Sequence, residues 1–100
     1  MALLYITCRD KKEAERISRR LLEKKLVGCA NMFPISSMYR WNKKIVNDAE
    51  YAIMAKTSSK NFRKAEAEIK KMHSYKIQCI LRIGAKANKE YDKWLHKQID

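Results

Sequence analysis

The chain has 100 residues, 46% of them apolar, and Lys and Arg outnumber Asp and Glu by 23 to 11, a formal net charge of +12. The apolar content excludes a disordered chain, and two Gly and one Pro exclude collagen-like or linker-like material. The length fits one domain over residues 1–100, with a core so small that a partner subunit is expected to complete it.

Residues 2–8 are a nearly continuous apolar run, which reads as a central strand. Asp10 then stands where a helix N-cap belongs, with Glu13 three residues on, a capping-box spacing. Ala14, Ile17, Leu21 and Leu22 recur at helical spacing between Lys, Arg and Glu, and Gly28 reads as the stop. Residues 29–41 are extended, with Phe33, Ile35, Ser37, Tyr39 and Trp41 on one parity. Pro34 cannot donate to a ladder and predicts an edge strand or a bulge. Asn42-Lys43-Lys44 reads as a hairpin turn in which Lys43 stands where Gly would be easier, and residues 45–57 return as a strand.

Ser58 or Ser59 can cap a second helix, whose stripe is Phe62, Ala65, Ile69 and Met72 and whose end is His73-Ser74-Tyr75. Residues 76–83 alternate, with Ile77, Cys79, Leu81 and Ile83 on one face, and Gly84 closes that strand. Asn88 caps a short last helix carrying Tyr91, Trp94 and Leu95. The order β-α-β-β-α-β followed by a small helix predicts the α+β class and a ferredoxin-like arrangement. Helices on one side leave the other side of the sheet bare, and apolar residues there predict oligomerisation.

Most of the cations are Lys, which lacks the planar donor fork of Arg, so the charge by itself is read as a solvated surface. The middle strands lack the glycine and aromatics of an RNA-recognition signature, which disfavours nucleic acid as a partner. No GxSxG, HExxH or phosphate-binding glycine loop is present, so no catalytic motif argues for an enzyme. Cys8, Cys29 and Cys79 are widely spaced, no leader-like segment opens the chain, and no apolar run approaches the length of a membrane span. Free thiols in a cytoplasmic setting are expected.

Cys and His are donors that copper and zinc prefer, yet no dense ligand spacing occurs, so any metal site must be assembled by the fold or between subunits. Each Cys is equally explained as a small buried hydrophobe, and His73 as an imidazole at a helix C-terminus. Tyr39, Trp41, Lys56, His73 and Tyr75 can converge as a small anion-accepting pocket; alternatively both Tyr39 and Trp41 pack on a neighbouring subunit and Lys56 pairs with a carboxylate.

The stretch Leu21-Leu22-Glu23-Lys24-Lys25-Leu26-Val27-Gly28-Cys29-Ala30-Asn31-Met32-Phe33-Pro34-Ile35 resembles a segment of the CutA family of divalent-cation tolerance proteins. The resemblance continues through Ser37-Met38-Tyr39-Arg40-Trp41, Met54-Ala55-Lys56-Thr57, Met72-His73-Ser74-Tyr75 and Tyr91-Asp92-Lys93-Trp94-Leu95. It implies a ferredoxin-like protomer in a homotrimer similar to the trimeric PII signalling proteins, without enzymatic activity, and a role in the response to metal ions. It also implies that His73, Tyr75 and Lys56 lie near the cleft between subunits, with His73 as a metal ligand and Cys8 as the thiol paired with it. Arg9, Lys43 and Gln78 depart from the family's usual Pro, Gly and Pro. The leading expectation is a divalent metal, copper, bound at or near subunit interfaces. The alternative is a PII-like sensor holding a small anionic metabolite in a cleft of Lys56, Tyr39, Trp41 and Tyr75. A basic nucleic-acid-binding surface is the third.

Overall fold

The apolar run Ala2–Cys8 forms strand β1, and the computed structural model, which describes residues 1–100, sets it inside the sheet as expected. The remaining elements are α1 (Lys11–Glu23), β2 (Cys29–Trp41), β3 (Lys44–Thr57), a 3-10 turn (Ser59–Asn61), α2 (Phe62–Met72), β4 (Ile80–Gly84) and α3 (Lys89–Gln98). The sheet order is β2-β3-β1-β4 with every pair antiparallel, the ferredoxin-like topology. Pro34 therefore lies on an edge strand, where its missing N–H costs no ladder bond.

Register decides which side chains are buried. Leu4 pairs with Ala55, Ile6 with Ile53 and Cys8 with Tyr51, so these residues share the face that meets the helices. Ala14, Ile17 and Leu21 of α1 and Ala65 and Ile69 of α2 close the core over them. Each fully buried Leu or Ile contributes about 1.5–3 kcal/mol. Leu22, expected in this stripe, is 42% exposed. It lies one position beyond Leu21, about 100° around the helix.

The helix ends differ in detail from the sequence reading. Asp10 caps α1 by accepting from the Glu13 N–H at 2.9 Å. Glu13 does not return to Asp10, as a capping box would; it accepts from the Arg9 N–H at 2.8 Å. The stop is Lys25 at φ 57, not Gly28: the Leu26 N–H bonds the Leu21 carbonyl and the Lys25 N–H that of Leu22, the Schellman pattern. Gly28 is required for another reason, because a Cβ there would fall 2.5 Å from Leu95 Cδ1 of α3. Neither Ser58 nor Ser59 caps α2. The 3-10 turn intervenes, Asn61 takes the cap position, and Ser58 makes no side-chain cap bond. Asn88 does occupy the cap position of α3, though its amide donates to Glu90 and not to the helix.

The β2–β3 hairpin turns at Asn42 (φ 48) and Lys43 (φ 66), both left-handed, as a two-residue type I′ turn demands. The last strand begins at Ile80, not at residue 76. Ile80 pairs with Ile6. One step further lies Thr7, whose carbonyl accepts from the His73 ring at 2.8 Å. The opposite face of the sheet carries Leu3, Tyr5, Phe33, Leu81 and Ile83, and beyond the corner where α3 lies it has no helical cover.

Candidate functional site

Three elements meet at one end of β1. Cys8 is its last residue, Glu13 lies in the first turn of α1, and His73 directly follows α2. The Cys8 Sγ, a Glu13 carboxylate oxygen and a His73 ring nitrogen all lie within 4.8 Å of one another. The side chains of Glu13 and His73 are fully buried, as is Cys8.

Each donor atom of this cluster is already engaged. His73 Nε2 donates to the Thr7 carbonyl at 2.8 Å, and Nδ1 accepts from the Tyr75 N–H at 3.1 Å. That pair of partners fixes the neutral tautomer with its proton on Nε2. Glu13 Oε2 accepts from the Ser74 N–H at 2.8 Å, and the Arg16 guanidinium stands 3.7 Å from the same oxygen. Burial pushes the Glu13 carboxyl up, but the hydrogen bonds from Arg9 and Ser74 outweigh it and hold the group below the usual carboxylate range. Burial, reinforced by the nearby carboxylates Glu13 and Glu50, pushes the Cys8 thiol up to about 12. Cys8 is thus protonated, the reverse of what a nucleophile needs. The cluster ties the end of β1, the start of α1 and the segment after α2 together. The donor types suit copper or zinc, and the Nδ1 lone pair becomes available when the Tyr75 N–H moves away.

Glu13 is the member that sequence reading missed. Its spacing from Asp10 identified a cap, while its second bond, to Ser74, is 61 residues distant in the chain.

The other predicted site residues divide. Thr7, Tyr39, Trp41, Glu50, Tyr75 and Ile77 are among those lining a cleft of about 600 Å³ between the open sheet face and the segment after α2. The Tyr39 hydroxyl donates to Asp48 and the Tyr75 hydroxyl to Glu50. The bond to Asp48 pushes the Tyr39 phenol up, and burial with the Glu50 contact does the same to Tyr75. The His73 and Tyr75 rings lie 4.8 Å apart, centroid to centroid, at the back of this region. Lys56 is elsewhere. It pairs with Leu3 and Cys29 at the far end of β3, six residues along the strand from Glu50, and its Nζ sits 5.2 Å over the Tyr91 ring. The pocket expected to gather Lys56 with Tyr39, Trp41 and Tyr75 is therefore not formed within one chain. The ionic groups that line the cleft are Glu50 and Lys76, so it lacks the cation surplus an anion site needs.

The profile described as CutA1 divalent ion tolerance protein matches residues 2–98. The chain belongs to the CutA1 family. The divalent-cation tolerance protein CutA of Archaeoglobus fulgidus is 43% identical over 98 residues, covering 97% of this chain and 96% of that protein. The structure of the A. fulgidus protein, named a periplasmic divalent cation tolerance protein, superposes with a TM-score of 0.97 at 42% identity over the whole of both chains. CutA1 from Pyrococcus horikoshii superposes with a TM-score of 0.96 at 31% identity, over 100% of this chain and 99% of that one. The PII-like protein CutA from Nostoc sp. PCC 7120 has the same fold, with a TM-score of 0.92 at 24% identity over 100% of this chain and 98% of that one. The ferredoxin-like, PII-like architecture and the family read from the sequence are thus correct. No helix is long and apolar enough to cross a membrane.

Proposed function

We propose that this CutA1-family chain works as a homotrimer that binds a divalent metal ion, copper, at Cys8 and His73 close to the subunit boundary, with Glu13 as a third donor. Its role is metal-ion response and not catalysis. The observation that carries this reading is the convergence of sulfur, imidazole and carboxylate donors within 4.8 Å. Soft and borderline ligands of this kind suit copper and zinc better than calcium or magnesium. The ion must take the place of two protons or hydrogen bonds: the Cys8 thiol proton is released, and the Tyr75 N–H gives up His73 Nδ1. Residues 73–79 belong to no helix or strand, which leaves that N–H free of any ladder.

Trimer formation is supported by the open sheet face, where Phe33, Leu81 and Ile83 are 38%, 50% and 41% exposed. All three cysteines are unpaired, which suits the cytoplasmic setting we assign.

Native mass spectrometry of freshly purified protein, with and without added Cu²⁺, tests both parts. A trimer that gains copper, with occupancy lost in His73→Ala and Cys8→Ser and kept in His96→Ala, is the expected result. Copper retained in both cluster variants would place the metal elsewhere, and a monomer would refute the assembly.

A further inference from the structure

The open sheet face contains one acidic place in a strongly basic molecule. Asp48 and Glu50 lie two residues apart on β3 and share a face with Ser37 and Tyr39 of β2. Neither makes an ion pair, although cations outnumber anions 23 to 11. Each accepts from a tyrosine hydroxyl instead. The other carboxylates without an ion pair, Glu15, Glu23, Glu90 and Asp100, are all exposed, whereas Asp48 and Glu50 are half-buried. A partly desolvated carboxylate with only neutral donors gains most from an incoming cation.

The shape and lining narrow the cation. Glu50 faces a cleft of about 600 Å³ whose walls are mainly apolar, with Tyr39, Trp41, Tyr75 and Ile77 among them. That volume lies within the ordinary range for small-molecule sites. A hard metal ion needs roughly six oxygen ligands, and a cleft with one carboxylate among aromatic and aliphatic walls does not supply them. An anion would meet Glu50. A cation on an apolar body satisfies both features, since aromatic rings attract cations and apolar walls bury the body.

We infer that this cleft binds a small organic cation, an alkylammonium, with Glu50 as its counter-ion and Tyr39, Trp41 and Tyr75 as its aromatic walls. The cleft opens onto the unpartnered sheet face, and the site uses none of Cys8, Glu13 or His73. Lys76, which also lines it, opposes the ligand's charge.

The test uses the intact protein in its native assembly, with hexyltrimethylammonium as probe and hexanoate and 1-hexanol as comparators. Trp41 and Trp94 are the two tryptophans, so a Trp94→Phe background reports Trp41 fluorescence alone. Saturable binding of the ammonium is expected, with hexanoate and hexanol weaker by at least about tenfold, the equivalent of one charged hydrogen bond. Glu50→Gln, which keeps an acceptor for Tyr75, should weaken the ammonium by a similar factor, Lys76→Gln should strengthen it, and Cys8→Ser should leave it unchanged. Tighter binding of hexanoate, equal binding of hexanol, indifference to both Glu50→Gln and Lys76→Gln, or no saturable ammonium binding would each overturn the assignment. A loss of copper binding in His73→Ala with the ammonium site intact would show the two sites to be separate.

Discussion

Replacing Glu13 by Gln keeps the side chain's size and removes its charge. In the native chain the two carboxylate oxygens each receive a backbone N–H at 2.8 Å, from Arg9 and from Ser74, and the side chain is fully buried. Glutamine offers one oxygen and one NH₂, so one of these N–H groups meets a donor. A hydrogen bond to a charged acceptor is worth about 1.5–3 kcal/mol, and a buried unsatisfied donor costs about 1–3 kcal/mol. One bond weakened and one lost give a total of roughly 2–4 kcal/mol, a large part of what holds a small domain folded. Urea denaturation at one fixed protein concentration reads this, since assembly adds its own concentration-dependent stability. The midpoint should fall by about 1–2 M. The pH dependence supplies a second check. The folded carboxyl titrates below its ordinary value of 4.5, so its contribution is complete above that pH and is lost as pH falls through the lower folded value. The deficit of Glu13→Gln must therefore shrink in acid. A deficit below about 1 kcal/mol at neutral pH, or one that stays constant down to about pH 3, would refute the reasoning.

Two further changes test the fold around the site. Gly28→Ala should destabilise by about 1–3 kcal/mol, because the new methyl would sit 2.5 Å from Leu95 Cδ1. Combining it with Leu95→Ala should cost less than the sum of the single changes, and strict additivity in denaturant titrations would exclude that contact as the cause. Lys43→Gly should raise stability by about 0.5–1 kcal/mol by relieving the left-handed φ of 66, read as a higher thermal midpoint; a lower midpoint would mean that the flexibility added to the unfolded chain dominates.

Much of the fold was legible in the sequence because its signals are local. The apolar run of β1, the Asp10 cap and the Asn42 turn each depend on residues a few positions apart. What escaped depends on tertiary partners. The alternation in 76–79 looks like a strand, but β1 supplies pairing only as far as Ile6, and the Thr7 carbonyl is held by His73. Gly28 looks like a helix stop because Gly so often is one, while the close approach of Leu95, 67 positions later, cannot be seen locally. In the site, Cys8 and His73 were legible as a pair through the family resemblance, and the structure brings them together. Lys56 and Glu50 were not placed correctly, because both lie on the same parity of β3 and only the sheet's ends distinguish them.

The β2–β3 ribbon outruns its support. It is paired from Cys29–Lys56 to Trp41–Lys44, whereas β1 ends opposite Tyr51. Beyond that rung two strands run on alone, toward one end of a molecule 45 Å long and only 25 and 21 Å across. An isolated two-stranded ribbon is marginal in water. Its outer amides should therefore exchange with solvent far faster than those of the β1–β3 rungs whenever a protomer stands alone. Association then does more than bury apolar area: it completes the folding of the arm that carries Tyr39 and Trp41, and dilution would loosen that arm before it unfolds the body.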